Sequence, residues 1–306
     1  MKTIVIFAIL AVGLLSAKAE PDLGRRGPAI LKEIVSQPWA VSWKKASLKK
    51  VRLVSEKPDL EQPLNLSPVW VAEVESPTGA NGHVIWDSTG AGKLVEFSFD
   101  DKLVVNSDSA KAMSGIPFLQ QFVVAGKEEA LMASGCVPTA AASVVSYWAK
   151  TKYPQWRGGD SKTRKDLALR LRGRLKMSLF PDQDGFTENG MTLAGAFPGD
   201  LLKVLRADAA KYQVPMEMEI GRFSFPPFKK EIDESRPVLL SCVVRVPHKP
   251  VLSWGHEVAA VGYCEIDGVK LVGVQDNFFP TKNEETIRWI REDAFRSMIT
   301  LRPRVE

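Results

Sequence analysis

Cysteine and histidine are scarce in this chain, with three of each among 306 residues. An odd number of cysteines cannot all pair, so the sequence excludes a disulfide-stapled scaffold and leaves at least one thiol unpaired. The motifs CxxC, HExxH and HxH are missing, and scattered Cys and His residues do not make a zinc site. We therefore expect no metal ion.

Phosphate-binding motifs and a strong excess of one charge are also missing. No GxxxxGK[ST] or GxGxxG segment occurs. The 41 Lys and Arg residues only slightly exceed the 36 Asp and Glu residues, so no nucleic-acid partner is expected. The excess is concentrated at 149–177. This stretch either binds an anionic surface or is simply the solvated face of a helix. We favour the helix face, with Leu167, Leu169, Leu171 and Leu175 among its inward positions.

Only one long hydrophobic run occurs, at residues 3–15, directly after the positively charged start Met1-Lys2. The run is shorter than the ~20 residues that a comfortable bilayer crossing needs. Small residues at 17 and 19 are typical of a signal-peptidase site, so we predict a signal peptide over 1–19. An uncleaved anchor is the alternative. After cleavage the protein is expected to be secreted or periplasmic, soluble, and without stable membrane insertion.

The region after the signal peptide is rich in strand patterns. Residues 23–37 predict a short amphipathic helix, and 43–54 fit either a helix or a strand. From 67 to 106, alternating apolar residues separated by turn clusters predict a small antiparallel meander. Residues 107–115 are small and polar, which indicates a linker and a candidate proteolytic site. We predict a β-rich N-terminal unit over 20–112, either a pro-segment or a permanent accessory domain.

The remaining residues, 113–306, combine a helical half with a group of strands. Periodic apolar residues predict the helices, and apolar stretches separated by turns predict the strands. A helical half followed by an antiparallel sheet defines an α+β domain. Helices are expected at 136–150, 161–176, 199–214 and 225–235, a loop at 178–191, and strands at 236–246, 256–266, 269–277 and 286–290.

Cys136 is the one cysteine in a setting suited to chemistry. Cys242 and Cys264 lie in apolar stretches, where buried structural thiols are expected and a bridge between them is a minor alternative. Cys136 instead begins a helix, since Pro138 suits the first helical turn. A thiol reacts as the thiolate, which a helix N-terminus and a neighbouring imidazolium both stabilise. Gly135 leaves space for a substrate to approach the sulfur.

A thiol nucleophile needs a base, and the three histidines differ in their settings. His83 lies in the predicted meander, and His248 lies in a proline-rich turn. His256 lies where a loop enters an apolar strand, which can hold an imidazole rigidly at a cleft; a structural histidine is the competing interpretation. Asp276 or Asn277, at the end of the next strand, can orient this ring if the two strands form a hairpin. Ordinary turn chemistry is the alternative for that pair.

An acyl-transfer site also needs hydrogen-bond donors for the developing oxyanion. The backbone N–H of Cys136 provides one donor. Gln120 and Gln121 are the only glutamines between the expected linker and Cys136, so either is a candidate for the second.

These segments resemble those of a known family. ASGCVPTAAASVVSYW, around Cys136, is similar to the CxPTAAAM-type motif of the C39-like family of bacterial cysteine peptidases. GHEVAAVGY, around His256, matches the family's histidine motif, and FKKEIDESRPVLLSCVV and VGVQDN resemble the segments on either side of it. The resemblance covers about residues 116–300 and implies a papain-like cysteine peptidase fold.

The resemblance also implies a reaction, which is peptide-bond hydrolysis through a thioester without a cofactor. Cys136 attacks the carbonyl carbon, His256 moves the proton, and Asp276 orients His256, with Asn277 as the alternative. The implied partner is a peptide or protein substrate. The N-terminal unit resembles the pro-segments of secreted cysteine peptidases, in which case it is a second partner of the site.

Two positions depart from the family pattern. The family's oxyanion glutamine usually lies shortly before the cysteine, at the position of Ala130 in this chain. Either Gln120 or Gln121 reaches in across a longer loop, or the donor is missing; losing one such donor lowers rates by roughly 100–1,000-fold. Val137 replaces the commoner glycine after the cysteine, which a helix start tolerates.

The sequence thus predicts a secreted cysteine peptidase, with two alternatives. One is a related acyl-transfer enzyme on the same fold, a peptidoglycan amidase or a γ-glutamyl transferase, because the three residues specify acyl chemistry and not the acyl donor. The other is a catalytically weak or inactive binding protein on a papain-like scaffold, which the displaced glutamine favours.

Overall fold

The computed structural model describes most of the chain after the expected signal peptide. The signal peptide itself, Ala130 and His248 lie outside the described residues. The described residues are 21–37, 40, 43–54, 68–79, 82–99, 106–107, 109–125, 131–158, 161–180, 193–246, 249–277 and 287–304.

Five α-helices and 16 β-strands form within these ranges. None of those helices combines the length and apolar character that a bilayer crossing requires. The helices are α1 Gly27–Val35, α2 Cys136–Thr151, α3 Arg164–Arg172, α4 Pro198–Lys211 and α5 Phe225–Asp233. The strands are β1 Ser47–Val54, β2 Val69–Glu75, β3 Gly82–Asp87, β4 Leu94–Phe99, β5 Asn106–Ser107, β6 Ala110–Ala112, β7 Val123–Ala125, β8 Leu131–Ala133, β9 Ser178–Phe180, β10 Leu193–Gly195, β11 Met216–Arg222, β12 Val238–Val246, β13 Lys249–Ile266, β14 Val269–Gln275, β15 Ile287–Arg291 and β16 Phe295–Pro303.

The N-terminal strands form the predicted meander. Strands β1 to β4 pair in sequence order, each antiparallel to the next. The stretch 43–54, for which helix and strand were both open, contains β1. Ile34 of α1 is buried in one cluster with Trp86 of β3, and the same cluster includes Leu271 and Trp289. The core under the meander is therefore shared with the C-terminal strands.

The expected linker at 107–115 contains a strand. β6 pairs with the end of β13, where Ala112 lies opposite Gly262. A Cβ at Gly262 would lie 2.6 Å from the Lys111 carbonyl oxygen, so this close approach requires glycine. Ala110 is buried, and the small residues here serve close packing. The backbone of β6 is part of the sheet and not an exposed proteolytic loop.

Helices α2, α3 and α4 pack around one buried cluster. It includes Val144 of α2, Leu171 of α3 and Leu205 of α4. Leu239 of β12 and Ala259 of β13 belong to the same cluster. The predicted helix from Cys136 therefore packs directly on the sheet, and its first residue lies at the edge of that contact.

Two arginines of the basic stretch 149–177 pair with a buried acid. Arg170 and Arg174 donate to Asp208 of α4 at 3.0 and 2.7 Å, and Asp208 is fully buried. Three of the four leucines expected to face inward are buried, but Leu169 is 40% exposed, so that prediction is wrong. It lies on the opposite side of α3 from the buried positions, which recur every three to four residues.

A 12-stranded antiparallel sheet organises the molecule. Its path is β1-β2-β3-β4-β15-β14-β13-β12-β16-β11, and β5 and β6 join beside β13. The sequence patterns do not predict β11 and β16, which pair with each other at one end of this path. The helices and this large sheet make a mixed α/β fold that is compatible with the predicted α+β class.

Strands β4 and β15 join the meander to the C-terminal strands. They are antiparallel, with Trp289 opposite Phe97 and Ile290 opposite Glu96. The Trp289 and Phe97 rings stack with their centroids 6.1 Å apart. The sheet therefore continues across the predicted boundary at residue 112.

Candidate active site

The start of α2 is shaped around the Cys136 thiol. Gly135 precedes the helix with a φ of 91°, a conformation that favours glycine. A Cβ on Gly135 would also lie 2.8 Å from the Ala194 carbonyl oxygen. The Thr139 hydroxyl donates to the Gly135 carbonyl at 2.6 Å, and Pro138 lies in the first turn as predicted. The Gly-Cys-x-Pro-Thr pattern thus builds the turn that presents the sulfur.

His256 lies in β13, beside the start of α2, and is 5% exposed. It is opposite Cys242 of β12. Strands β13 and β14 form the predicted hairpin, with Ala259 opposite Gln275. Asp276 directly follows β14, and its Oδ1 lies 3.2 Å from Nε2 of His256. The hairpin thus brings the imidazole and the carboxylate together.

The His256 ring interacts with both Cys136 and Asp276. Burial alone would lower the pKa of His256. Hydrogen bonds to the Asp276 carboxylate and the Cys136 sulfur, together with their negative charges, instead raise this pKa from 6.5 to about 9. The ring is therefore an imidazolium at neutral pH, placed between the Asp276 carboxylate and the Cys136 sulfur.

Arg288 of β15 links Asp276 to the N-terminal meander. Its Nη1 donates to Asp276 Oδ2, and its Nε and Nη2 donate to the two carboxylate oxygens of Glu96, each at 2.8 Å. Nε2 of His83 lies 2.6 Å from Glu96 Oε1. A continuous line of hydrogen bonds therefore runs from His256 through Asp276, Arg288 and Glu96 to His83.

The buried charges in this line control each other's ionisation. Burial opposes ionisation of Glu96, yet the charges and hydrogen bonds of Arg288 and His83 lower the pKa of Glu96 to about 2. Arg288 and His256 hold the pKa of Asp276 well below its usual range, again against the effect of burial. Both carboxylates are therefore anionic at neutral pH, and Asp276 faces the imidazolium as a full charge.

Asn277 has contacts different from those of Asp276. Its Nδ2 donates to the Cys136 carbonyl at 3.2 Å and to the Glu257 carbonyl at 3.0 Å. It is 2% exposed, and its Oδ1 accepts from Gln121. Asn277 thus ties the first residue of α2 to β13, while Asp276 is the residue that contacts the His256 ring.

Of the two candidate oxyanion glutamines, Gln121 contacts Asn277. The Gln121 side chain donates to Asn277 Oδ1 at 3.4 Å, and the Gln121 N–H donates to the Asn277 carbonyl at 2.9 Å. Gln121 is buried and Gln120 is half-buried. Neither is among the described residues that line the cleft over Cys136. The observed contact of Gln121 is therefore with the residue that anchors Cys136.

A cleft of about 250 Å³ opens over Cys136 and His256. Strands β12 and β13 contribute part of its lining, including Ser241 and Glu257. The segment from β10 to the start of α4 contributes small and apolar groups, and Phe197 there is 73% exposed. The lining of the cleft beside Cys136 therefore combines strand residues with an apolar segment.

The other two thiols are buried and free, as predicted. Burial raises the pKa of Cys242 and of Cys264 well above the usual range for a thiol. Cys136 is only half-buried and is the thiol placed beside an imidazolium. Within the described ranges, no group of three or more His, Cys, Asp or Glu residues is arranged to hold a metal ion.

The sequence patterns do not identify Arg288, Glu96 or Glu257 as residues of the site. Each is a buried charged residue in a strand that also contains buried apolar residues. Burying a charge is costly unless it is paired, so such positions are the available signal for a buried network. Which charges pair depends on the order of the strands, and here the pairing of β4 with β15 decides it.

Comparison with known proteins adds no relative. No family model and no curated protein matches this chain. The functional interpretation therefore depends on the cleft geometry and on the segments around Cys136 and His256.

Proposed function

We propose that the chain is an exported cysteine peptidase with a papain-like fold of the C39-like type. The observation that carries this proposal is the contact series from the Cys136 sulfur to the His256 ring and the Asp276 carboxylate at an open cleft. A helix N-terminus, an imidazolium and an orienting carboxylate are the groups that activate a thiol nucleophile. A helical cluster packed on an antiparallel sheet supports the fold assignment.

The proposed reaction has two stages. The Cys136 thiolate attacks the scissile carbonyl carbon, and the C=O electrons move onto oxygen. The oxyanion then collapses, His256 gives its proton to the leaving nitrogen, and the C–N bond breaks to leave a thioester. Neutral His256 next takes a proton from water, whose oxygen attacks the thioester. The second tetrahedral intermediate collapses and its C–S bond breaks, so the acid product leaves and the thiolate–imidazolium pair is restored.

The neighbouring groups orient this chemistry. Because Nε2 of His256 lies against Asp276, the ring presents its other nitrogen to the sulfur. The Cys136 N–H lies in the first turn of α2, where N–H groups lack acceptors within the helix, so it can donate to the oxyanion. Gln121 and Gln120 are the candidates for a second donor, and the Gln121 amide would have to leave its contact with Asn277 to reach the oxyanion.

Selective alkylation of Cys136 tests the proposal. At about pH 6, iodoacetamide is expected to add a single label per chain at Cys136, because this thiol is half-buried at the cleft and lies beside the His256 imidazolium. Cys242 and Cys264 are expected to stay unlabelled, since both are buried and burial raises the pKa of each. Intact-mass spectrometry followed by peptide mapping measures the stoichiometry and the site.

The Cys136→Ala protein is the control and should take up no label. Labelling spread over all three cysteines would contradict an activated Cys136. Sequencing the products formed from a denatured protein separates a peptidase from an amidase or a transferase with the same three residues. Selective labelling without any acyl transfer would favour the inactive binding protein.

The raised pKa of His256 predicts the alkaline limit of activity. The imidazolium that protonates the leaving nitrogen persists until the pH passes about 9, whereas a histidine with the ordinary pKa of 6.5 would lose its proton earlier. We therefore expect kcat/KM to fall as the pH rises through about 9. Initial rates on a fluorogenic peptide across that range measure the decline.

Asp276→Asn is the matched variant for this profile. Removing the carboxylate charge removes one cause of the raised pKa of His256, so the decline should move to lower pH. An unchanged alkaline limit would contradict the Asp276 contact. The same shift also affects folding: stabilisation from the imidazolium is full below 6.5 and is lost as the pH rises through about 9.

A further inference from the structure

Glu257 is a buried carboxylate of the cleft that the proposed reaction does not use. It lies in β13 opposite Ser241 of β12. Side chains alternate along a strand. Glu257 and Ser241 therefore share a face with Ala259 and Leu239, which pack in the same cluster as α2. Both also line the cleft, together with Cys136. The carboxylate thus belongs to the part of the sheet beside the start of α2.

Only one of the two Glu257 carboxylate oxygens is satisfied. Oε2 accepts from the Ser241 hydroxyl at 2.6 Å, and the Ser297 hydroxyl donates to Ser241 at 2.9 Å. Oε1 has no hydrogen-bond partner among the described residues, although Glu257 is only 3% exposed. A buried acceptor without a partner costs free energy. An unpaired acceptor in a residue that lines a cleft is one that a ligand can satisfy.

The other buried acids differ from Glu257 because each is paired with arginine. No Lys or Arg within the described ranges forms an ion pair with Glu257. The fold thus supplies a cation to each of the other acids and leaves Glu257 without one. The paired acids are Glu96 with Arg288, Asp208 with Arg170 and Arg174, and Glu231 with Arg236 and Arg302.

The electrostatic setting of Glu257 suits a mobile cation. Burial raises the pKa of Glu257 to about 7, while the Ser241 hydrogen bond and the charge of His256 act in the opposite direction. The carboxyl is therefore near its midpoint at neutral pH, and a cation that binds beside it would complete its ionisation. His256 is itself engaged by Asp276 and Cys136.

The remaining lining of the cleft indicates the shape of the cationic group. Val137, Ala194, Ala196 and Pro198 provide small apolar surfaces, and the exposed ring of Phe197 extends them. An apolar wall beside a carboxylate fits a group with an aliphatic stem and a charged end.

We propose that Glu257 determines substrate specificity by binding a cationic nitrogen group of the substrate, an ammonium or a guanidinium. A Lys or Arg side chain and a free peptide N-terminus carry this same chemistry, and the apolar wall favours the side chain. The proposal rests on the proposed function, because it places the scissile bond beside Cys136.

Binding to a protein that cannot turn over tests this recognition separately from catalysis. The Cys136→Ala protein is titrated with short peptides that carry arginine at successive positions. Each is matched by a peptide with citrulline in place of that arginine. Citrulline keeps the shape of arginine and lacks its charge. At one position, the citrulline peptide is therefore expected to bind about 10–100-fold more weakly than the matched arginine peptide. Peptides with free and acetylated N-termini show whether the discrimination follows the side chain or the terminus.

Glu257→Gln in the same background should remove most of the discrimination, because the amide keeps the size of the side chain and loses the charge. Glu265→Gln is the matched control, since Glu265 is exposed on the same strand and its replacement should leave discrimination intact. Equal affinity for every charged and neutral pair would overturn the proposal, whether or not the Glu257 variant folds. Cleavage by the active protein is scored separately. Discrimination without cleavage would reject the peptidase and leave the cation site standing.

Discussion

Replacing Cys136 by alanine is expected to lower the rate of peptide hydrolysis by about 10,000-fold or more. In the proposed reaction the Cys136 sulfur forms the acyl intermediate, and alanine has no group that can replace it. The fold should survive, because alanine favours helices and keeps the backbone carbonyl of Cys136 to which Asn277 donates. Single-turnover kinetics on a fluorogenic peptide measure the loss, and thermal unfolding checks the fold.

Cys242→Ala is the matched control for this loss. Cys242 lines the same cleft, but it is buried and burial raises its pKa. Its replacement should leave most of the activity and cost on the order of 1 kcal/mol of stability. Adding His256→Ala to Cys136→Ala should change the rate little further, because groups that act as a unit are not additive. A Cys136→Ala rate within about tenfold of the wild type would place the nucleophile elsewhere.

Replacing Arg288 by methionine is expected to lower the free energy of unfolding by about 3–5 kcal/mol. Methionine fills much of the space, but Glu96 and Asp276 lose the guanidinium that neutralises both. Arg288 and Glu96 are each 3% exposed, so water cannot replace that interaction. Urea unfolding followed by tryptophan fluorescence measures the change.

The pH dependence of this effect separates charge from packing. The pKa of Glu96 is lowered from 4.5 to about 2, so its stabilising contribution is present above 4.5 and is lost as the pH falls towards 2. The difference between wild type and Arg288→Met should therefore shrink as the pH falls from about 7 to about 3. A difference that stays constant would indicate lost packing instead.

Arg291→Met is the matched control on the same strand. Arg291 pairs with Asp87 and Asp293, but its side chain is 23% exposed, so its loss should cost about 1 kcal/mol or less. Adding Glu96→Gln to Arg288→Met should restore part of the lost stability, because a neutral amide needs no countercharge.

The Arg288 contacts help to distinguish the two predictions for residues 20–112, which are a pro-segment that is removed and a permanent accessory domain. Glu96 comes from β4 of the meander, whereas Arg288 comes from β15. Release of the meander as a pro-segment would take away the Glu96 carboxylate and leave β15 as an unpaired edge strand. These contacts favour a permanent accessory domain over a discarded pro-segment.

The elements that carry Cys136 and His256 are predictable because their signals are local. The apolar periodicity from Ala141 to Trp148 and the early Pro138 place the start of α2. Two apolar stretches with a turn between them predict the β13–β14 hairpin, and therefore the meeting of His256 with the residues after β14.

Other elements are not predictable from local pattern. β11, Met216–Arg222, alternates Met and Glu, which favour helices, yet Met216 and Met218 are buried in the helical cluster. Pairing with β16 stabilises it as a strand. The segment 107–115 is small and polar like a linker, yet β6 is small because it packs closely against Gly262.

By itself, the sequence determined a free thiol at a helix start and a histidine in an apolar strand, with Asp276 or Asn277 after the next strand. It predicted that the histidine's strand begins at 256, which is wrong, because β13 begins at Lys249. Only the tertiary structure decided that Arg288 joins Asp276 to the N-terminal meander, and that Glu257 has no cation. Partners of buried charges are set by strand order and register, which join residues far apart in the chain. No local pattern of apolar and polar residues contains that information.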